Sequence, residues 1–435
     1  MSSEIGENAL SESVKSLPAS WYYDINFYQT ELNSIWYRNW IYVCHSSALE
    51  SQRSFYTIKI GTQSVIVVRD RNNKLRAYYN TCRHRGSAIC DKNKGILKTP
   101  VLLCPYHQWS YAMEDGRLVK TSSFKNSDNF KKEDYGLFKV KLQEWRGCIF
   151  INLNEEAEWD VENLFHRSAS ELERFPIEDM KIGYHWTKII KCNWKSFWEN
   201  FNECLHCPNV HPELSKLVPL YSKRIISPKD LPNWKDSLMS DDPKDKGGLR
   251  HGSETWSLDG SAQGHIIKNL SDTDVSRGQL YASSWPSIFI GGYADHVRIV
   301  RIVPLGPEEL ELSVEWLFLE ETLNDPDYDK NNVIEFAKLV MLQDGKACEI
   351  NQAGVHSKVF KEGVLMPEEY LLKRLTESGF EVEYWVGYEN KAKEIEGIEM
   401  GANDVLLLSS PSSAQAWMKN SLPIPKNILC MGKTS

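Results

Sequence analysis

TCRHRGS at residues 81–87 and LCPYHQWSY at residues 103–111 are the two segments on which the interpretation of this sequence depends. They contain two cysteines and two histidines, Cys82, His84, Cys104 and His107. Two thiolates and two imidazoles suit either one tetrahedral zinc ion or a [2Fe–2S] cluster in which the cysteines bind one iron and the histidines the other. Gly86 and Pro105 indicate two turns that can present ligands from opposite sides of a binuclear cluster, and the C-x-H spacing is unusual for zinc. We therefore expect the cluster.

A second pair of histidines lies in NWKSFWENFNECLHCPNVHPEL, residues 193–214, where a helix is predicted over residues 193–207. On an unbroken helix His206 and His211 would point about 140° apart and could not bind the same metal. Pro208 is expected to end or bend the helix, so that His211 can turn toward His206. The spacing is then compatible with a shared metal ion. Taken alone, the spacing of His206 and His211 is explained equally by two hydrogen-bonded histidines on an amphipathic helix.

A shared iron site also needs a carboxylate. Two imidazoles and one carboxylate form the facial triad of an O2-activating Fe(II) site, which leaves positions open for O2 and substrate. The downstream aspartates considered are Asp325, Asp327, Asp329 and Asp344. The first three lie in the turn-rich NDPDYDK and are expected to be solvated, whereas Asp344 lies on a helix predicted over residues 332–352. The choice of Asp344 follows from a family resemblance of its segment, VMLQDGKACEINQAG.

Both cysteine–histidine segments resemble the ligand boxes of Rieske non-haem iron oxygenases, and the segment around Asp344 resembles the third-ligand segment of that family. The resemblance extends over residues 20–370, approximately. It implies an oxygenase subunit with a Rieske [2Fe–2S] cluster, a mononuclear Fe(II) held by His206, His211 and Asp344, and O2 as co-substrate. It also implies that Glu203 bridges a cluster histidine of one subunit to an iron histidine of its neighbour, in a homotrimer with inter-subunit electron transfer.

The source of electrons is expected to be another polypeptide. No nucleotide-binding fingerprint of the GxGxxG type occurs in the sequence. NAD(P)H would therefore act through a separate flavin or iron–sulfur reductase. The leading hypothesis is mono- or dioxygenation of a small organic substrate. A hypothesis of another class, a Rieske electron-transfer protein or a zinc-stabilised binding protein, would leave Glu203, His206 and His211 without a function.

The substrate is indicated only by resemblance. NFNECLHC, residues 200–207, resembles the branch of the family that hydroxylates or oxidatively demethylates quaternary ammonium compounds such as betaines, choline and carnitine. A cage of aromatic faces would bind such a cation. The aromatic candidates, each of which core packing explains equally well, are Trp194, Trp198, Trp285, Phe289 and Tyr293. The alternative substrate is an aromatic ring, as in ring-hydroxylating dioxygenases.

The composition is that of a globular protein, with 435 residues, 41% hydrophobic and 25% charged residues and a formal charge of −8. The absence of a basic block argues against nucleic acid as a partner. No stretch approaches the ~18 apolar residues of a membrane helix, and MSSEIGENAL lacks the regions of a signal peptide, so a cytoplasmic protein without membrane contact is expected. The ten cysteines are then expected to be reduced thiols or metal ligands, with Cys90 a buried thiol.

The strand pattern predicts an α+β architecture. From Ser54 to about Leu153 an all-β domain is expected, with strands FYTIKI, SVIVVRD, LRAYYNT, VLLC and CIFINL. Downstream, an antiparallel sheet with helices is expected, its strands including HIIKNL, HVRIVRIV and LELSVEWLFL. The predicted parts are an N-terminal helical segment packing on the catalytic domain (1–43), a Rieske domain (44–155), a catalytic mononuclear-iron domain (156–372) and an appendage (373–435). Residues 91–99 are expected to form an extended hairpin tip and residues 227–251 a mobile loop.

The tail from residue 379 onward resembles part of uroporphyrinogen-III synthase, notably in DVLLLSSPSSAQAW and ILCMGKTS. The alternation of predicted strands and helices in this tail indicates a short α/β-like unit. A complete two-domain synthase is not expected. A tetrapyrrole-pathway enzyme is therefore only a third hypothesis, and the tail is expected to be structural or vestigial.

Overall fold

The computed structural model describes residues 13–122, 128–157, 160–165, 169–224, 240, 242–365, 405–408 and 427–430. The strands are β1 (Val14–Lys15), β2 (Ile41–His45), β3 (Ser54–Ile60), β4 (Gln63–Arg69), β5 (Leu75–Tyr79), β6 (Lys94–Ile96), β7 (Val101–Leu103), β8 (Ser110–Ala112), β9 (Leu118–Lys120), β10 (Lys141–Trp145), β11 (Cys148–Asn152), β12 (Lys181–Ile190), β13 (Leu280–Ser284), β14 (Ile288–Gly292), β15 (Val297–Gly306), β16 (Glu309–Phe318), β17 (Val364–Leu365), β18 (Val405–Leu408) and β19 (Asn427–Cys430). The α-helices are α1 (Ile25–Glu31), α2 (Ala169–Leu172), α3 (Trp194–Phe201), α4 (Cys207–Val210), α5 (Pro212–Leu217), α6 (Pro243–Lys246), α7 (Asp272–Arg277), α8 (Glu320–Asn324) and α9 (Asn331–Val355). Short 3₁₀ helices cover Ala19–Tyr22, Ser46–Leu49, Lys132–Tyr135, Val161–Phe165, Ile177–Asp179 and Pro219–Lys223, and a π-helical turn, Leu32–Trp36, follows α1. Among these helices, none has both the length and the apolar character that a membrane span requires.

The N-terminal β-rich part contains three antiparallel sheets, with strand orders β5-β4-β3-β6, β10-β11-β2 and β7-β8-β9. The consecutive residues Val65, Ile66, Val67 and Val68 of β4 are fully buried, because this strand is covered on both faces. Asn73 and Gly116 adopt left-handed conformations with φ values of 60° and 79° in the turns β4–β5 and β8–β9. The five strands predicted for this part are confirmed.

The second part is built on a single antiparallel sheet with strand order β12-β16-β15-β14-β13. One face packs against α3 and α9, where Val300 and Ile302 meet Trp198 in a shared hydrophobic core. The opposite face meets β2, where the Tyr42 hydroxyl donates to the buried Glu315 carboxylate at 2.5 Å. The architecture is α+β, as predicted, and α3 and α9 meet on one face of the sheet, where Asn200 contacts Asp344.

The N-terminal segment lies against α3. Glu31, at the end of α1, accepts hydrogen bonds from Lys195 Nζ at 2.5 Å and from Trp194 Nε1 at 2.8 Å. The Tyr22 hydroxyl donates to Glu199 at 2.6 Å, and β1 pairs antiparallel with β17. These contacts agree with a helical segment that packs on the sheet-and-helix part. The division of the chain into four domains remains a prediction.

Three local predictions are wrong. HIIKNL forms no strand in the described structure, because Ile267 N donates to Ala294 O at 2.8 Å in an irregular segment that packs on the β14–β15 turn. The predicted hairpin tip at 91–99 contains β6, which pairs with β3. The predicted helix 193–207 ends at Phe201. Of the predicted mobile loop, most lies outside the described residues, and α6 occupies part of the remainder.

The C-terminal appendage is described only at two strands. β18 and β19 pair in parallel, with Val405 opposite Asn427 and Leu408 opposite Cys430. Parallel strands need a crossover connection, so the pairing agrees with the predicted α/β-like unit. The remaining elements predicted for the tail lie outside the described residues. Its resemblance to uroporphyrinogen-III synthase remains a prediction.

His45 should make the stability of the protein depend on pH. Its imidazole is buried beside Ile177 O at 3.0 Å, and burial lowers the pKa of His45 to about 4 despite that hydrogen bond. Because the folded-state pKa is below the unfolded value, this contribution to stability is complete above about pH 6.5 and is lost as the pH falls toward 4. Between about pH 7 and about pH 5 the loss should reach about 2 kcal/mol.

The measurement is denaturant unfolding at the two pH values. His45→Gln should reduce the difference between the free energies of unfolding at the two pH values. The exposed control His251→Gln should leave that difference unchanged. An equal pH dependence in His45→Gln and in the unmodified protein would contradict the assignment.

Candidate metal centres

The first candidate centre lies at one tip of the β-rich part, in the turn after β5 and the turn between β7 and β8. Cys82 N donates to Ser87 O at 2.8 Å, and Cys104 N donates to Trp109 O at 2.9 Å, so each cysteine begins a tight turn that returns the chain beside it. The cysteines are buried and free of disulfide bonds. The two turns therefore face each other as the spacing predicts.

The two histidines of these turns lie at the surface, outside the cysteines. The ring centroids of His84 and His107 are 4.7 Å apart, and His84 stacks on Trp109 at 4.8 Å. His84 is exposed and His107 is half-buried. An inner thiolate pair and an outer imidazole pair on opposing turns fit a cluster with one iron bound by each pair. The exposed imidazoles are the groups that another protein surface can approach.

The second candidate centre is formed by His206, His211 and Asp344, whose potential ligand atoms all lie within 4.8 Å of one another. Asp344 Oδ1 is 2.8 Å from His211 Nε2 and 3.4 Å from His206 Nε2. His211 is buried and His206 is half-buried. The other aspartates considered lie elsewhere: Asp325 faces His265 at 3.5 Å, and Asp327 is exposed.

A break in the helix brings the two histidines together, but it is not where the sequence predicts it. Helix α3 ends at Phe201, and residues 202–206, which are not assigned to a helix, connect it to α4. Pro208 lies in the first turn of α4, where proline is tolerated because its missing N–H would have no helical partner. His211 separates α4 from α5 with φ −122° and ψ 65°. The change of direction at His211 turns its imidazole toward His206.

Each histidine has its Nδ1 atom occupied. His206 Nδ1 contacts Glu203 Oε1 at 2.7 Å, and His211 Nδ1 contacts Gln343 Oε1 at 2.8 Å. An oxygen that can only accept requires an N–H on Nδ1, which leaves Nε2 of each ring as a lone-pair donor. Both Nε2 atoms face Asp344. This is the arrangement that a metal ion requires.

The electrostatics of this cluster favour a cation. Burial alone lowers the pKa of His206, but hydrogen bonds to Asp344 and Glu203 outweigh it and raise that pKa to about 9. Burial raises the pKa of Asp344, and its two imidazole partners reverse this and lower it to about 2. The two carboxylates therefore favour positive charge at His206, and a metal cation bound there would take the place of the proton on that ring. Two neutral imidazoles and a carboxylate fit Fe(II) as a donor set.

Asn200 and Gln343 are functional candidates whose contacts could not be predicted from the sequence. Asn200 Nδ2 donates to Asp344 Oδ1 at 2.6 Å, and Gln343 Nε2 donates to Glu213 at 3.0 Å while its oxygen faces His211. Both contacts join residues more than a hundred positions apart. No local pattern in the sequence indicates such pairs. Their role is to orient the carboxylate and the imidazole.

The expectation that the cysteines are reduced or bind metal is wrong for one pair. Cys204 and Cys207 form a disulfide with their Cα atoms 5.0 Å apart. A single turn, in which Cys207 N donates to Cys204 O at 3.2 Å, brings the side chains within bonding reach. Cys90 also differs from the expectation, because it is half-buried and its Sγ lies 3.6 Å from Lys92 O on the surface loop before β6.

An aromatic layer lies next to the second centre, between α3 and β14. Phe201, the neighbour of Asn200, stacks on Phe289 at 4.1 Å, and Trp198 stacks on Trp285 at 5.6 Å. Of the five aromatic candidates, Trp194, Trp198, Trp285 and Phe289 lie together. Phe201 is the member that sequence reasoning missed. Trp194 stands edge-on to Trp285 at 5.3 Å and also donates to Glu31 of the N-terminal segment, whereas Tyr293 belongs to a separate group with Trp256.

Two such centres, one on an all-β unit and one beside an antiparallel sheet, define the class of Rieske-type non-haem iron proteins. The family model for the ring hydroxylating alpha subunit (catalytic domain) matches residues 155–378, and that for the Rieske [2Fe–2S] domain matches residues 39–132. The chain therefore belongs to the ring-hydroxylating alpha-subunit family. It is an oxidoreductase that incorporates oxygen from O2, with a Rieske [2Fe–2S] cluster and a mononuclear iron as cofactors.

Curated relatives cover most or about half of the chain. A glycine betaine monooxygenase oxygenase subunit from Pseudomonas aeruginosa is 28% identical over 80% of this chain and 84% of the relative. A carnitine monooxygenase oxygenase subunit from Escherichia coli is 35% identical over 47% of this chain and 54% of the relative.

Solved structures share the fold. The quaternary ammonium Rieske monooxygenase CntA in complex with an inhibitor is similar with a TM-score of 0.65 and 20% identity, over 84% of this chain and 95% of that chain. Naphthalene 1,2-dioxygenase from Rhodococcus sp. is similar with a TM-score of 0.59 and 20% identity, over 80% of this chain and 84% of that chain.

Proposed function

We propose that this chain is the oxygenase subunit of a monooxygenase that hydroxylates or oxidatively demethylates a quaternary ammonium compound. One observation carries the proposal: the two Nε2 atoms and the Asp344 carboxylate converge beside the aromatic layer formed by Trp198, Phe201, Trp285 and Phe289. Aromatic faces attract a trimethylammonium group, which cannot donate hydrogen bonds. The names of the betaine and carnitine relatives support the same substrate class.

The site assignments belong to the proposal. Cys82, His84, Cys104 and His107 would hold the cluster. His206, His211 and Asp344 would hold the iron. When bound, these groups supply electrons one at a time and activate O2, so that one oxygen atom enters a C–H bond and the other leaves as water with two electrons and two protons.

The protein groups around the iron ligands orient them. Glu203 accepts from His206 Nδ1 with one oxygen, and its other oxygen accepts from Leu205 N, which fixes the carboxylate within the turn before α4. Asn200 and Gln343 act in the same way on Asp344 and His211. Such outer contacts set the tautomer and direction of a metal-binding imidazole.

The partners are proposed as a reductase and further copies of the chain. Oxygenase subunits of Rieske systems depend on a reductase, and we propose a separate NAD(P)H-oxidising flavin or iron–sulfur protein in that role. We further propose a homotrimer in which Glu203 connects the iron histidine His206 to a cluster histidine of the adjacent subunit. Two features support the homotrimer. His84 is exposed on the β-rich part, and the side chain of Glu203, between α3 and α4, is 23% exposed.

The test is substrate-dependent O2 consumption by the iron-loaded protein with a surrogate ferredoxin reductase and NADH. Glycine betaine, carnitine and choline are the probes, with naphthalene as the ring compound, and the product is analysed after reaction under 18O2. We expect at least one quaternary ammonium compound to stimulate O2 uptake with incorporation of one labelled atom. Stimulation by naphthalene alone, with two labelled atoms, would instead favour a ring-hydroxylating dioxygenase.

A further inference from the structure

Arg298 is a buried cation that has no carboxylate partner among the described residues. It lies on β15, is 7% exposed, and makes no ion pair within the part of the chain that the structure describes. Its Nε atom is buried and has no hydrogen-bond partner there. The guanidinium carbon lies 5.1 Å from the ring centroid of Tyr293 and 5.9 Å from that of Trp256. Buried charges in proteins are usually paired, because an unpaired buried charge is unfavourable. The guanidinium of Arg298 therefore favours binding of an anion supplied by a ligand.

Arg298 shares a face of the sheet with the aromatic layer. β15 pairs Val300 with Phe289 and Arg298 with Gly291. Side chains two residues apart on a strand project from the same face, about 7 Å apart. Opposite Arg298, Gly291 has no side chain, and the Tyr293 ring lies where a Cβ at Gly291 would stand. The Cα atoms of Arg298 and of Val300, the strand partner of Phe289, are therefore about 7 Å apart.

The helices that carry the proposed iron ligands reach the surroundings of Arg298. Its two aromatic neighbours belong to a hydrophobic cluster with members on α5 and α9. The cluster includes Leu214 on α5, Phe336 on α9, and Trp256 and Tyr293. Leu214 follows His211 by three residues, and Phe336 precedes Asp344 by eight residues, which span about 12 Å of helix. This cluster therefore connects the surroundings of Arg298 with the two segments that carry His211 and Asp344.

We propose that Arg298 determines substrate specificity by binding the carboxylate of a zwitterionic quaternary ammonium compound, whose trimethylammonium group lies against the aromatic layer. The inference rests on the proposed function and narrows it to betaine-type substrates. A guanidinium binds a carboxylate with two parallel charge-assisted hydrogen bonds. A compound that carries only the cation, such as choline, gains no such bonds and is repelled by Arg298.

The test compares glycine betaine with choline, which share the trimethylammonium group and differ in the carboxylate. Binding to the metal-loaded protein is measured by calorimetry without reductase, and KM and kcat are measured in parallel with the reductase. The unmodified protein should bind glycine betaine more tightly than choline. Arg298→Gln should weaken glycine betaine binding by about 10- to 100-fold and raise its KM, with choline binding changed by less than about threefold. Arg298→Lys should recover part of the lost affinity for glycine betaine, because lysine keeps the positive charge but lacks the two parallel N–H donors of the guanidinium.

The outcomes separate this inference from the proposed function. Equal weakening of both probes in Arg298→Gln, or tighter choline binding by the unmodified protein, overturns the role of Arg298 and leaves the quaternary ammonium function standing. If Arg298→Gln does not fold, the inference is judged by the affinity of the unmodified protein for glycine betaine relative to choline. Tighter binding of choline overturns it. If neither glycine betaine nor choline binds, carnitine is tested. Carnitine binding that weakens in Arg298→Gln supports the role of Arg298, and carnitine binding that does not weaken overturns that role alone. No binding of any of the three overturns the proposed function and this inference with it.

Discussion

Asp344→Ala is expected to lose the mononuclear iron and all oxygenase activity. Asp344 Oδ1 is the oxygen that faces Nε2 of both His206 and His211, at 3.4 Å and 2.8 Å. Two imidazoles alone do not complete a facial triad, and the variant also leaves the Asn200 amide without its acceptor. Iron should fall from about three to about two per chain, while acid-labile sulfide remains at about two.

The matched control for Asp344→Ala is Asp327→Ala, which removes an exposed aspartate from the turn before α9. It should retain iron, sulfide and activity. Both proteins are purified anaerobically and assayed for O2 uptake with the reductase. An Asp344→Ala protein with a full complement of iron and normal activity would show that another carboxylate completes the site.

Glu203→Gln is expected to keep both metal centres and to lose electron transfer between them. A carboxylate can accept an N–H from two imidazoles at once, whereas an amide offers a single oxygen acceptor and an NH2 group that can only donate. The variant should therefore hold His206, 2.7 Å away, but not a second imidazole. Steady-state turnover should fall by about 10- to 100-fold with iron and sulfide contents unchanged.

The direct readout for Glu203→Gln is the rate at which the pre-reduced protein is reoxidised by O2 in the presence of substrate, followed by absorbance. This rate should fall by the same factor as turnover. Glu199→Gln on α3, whose carboxylate accepts from the Tyr22 hydroxyl at 2.6 Å, should keep the normal rate. If Glu203→Gln reoxidises as fast as the unmodified protein, the bridging role of Glu203 is wrong.

The features that could be predicted from the sequence are those determined by short spacings. The Cys–His turns need only the residues from Thr81 to Tyr111, and strands such as β3, β4 and β16 follow from runs of branched and aromatic residues. The grouping of His206 with His211 was predicted for a related reason, since both lie within one short segment. The position of the break was not, because α3 ends before the proline rather than at it.

The features that escaped prediction depend on contacts between distant segments. Asn200 meets Asp344 only because α3 and α9 pack side by side on the same sheet. HIIKNL has the composition of a strand, yet Ile267 is bonded to the β14–β15 turn and stays irregular. Arg298 gives no signal in the sequence, since its burial and its lack of an ion pair among the described residues are properties of the folded sheet.

The most direct test of the central claim is the iron and acid-labile sulfide content of the anaerobically purified protein, read with its absorption spectrum. A chain with both centres should contain about three irons and about two sulfides, with the visible absorption of a [2Fe–2S] cluster. Zinc in place of iron, without sulfide, would contradict the account, because the Cys–His turns would then form a structural metal site with no route for electrons.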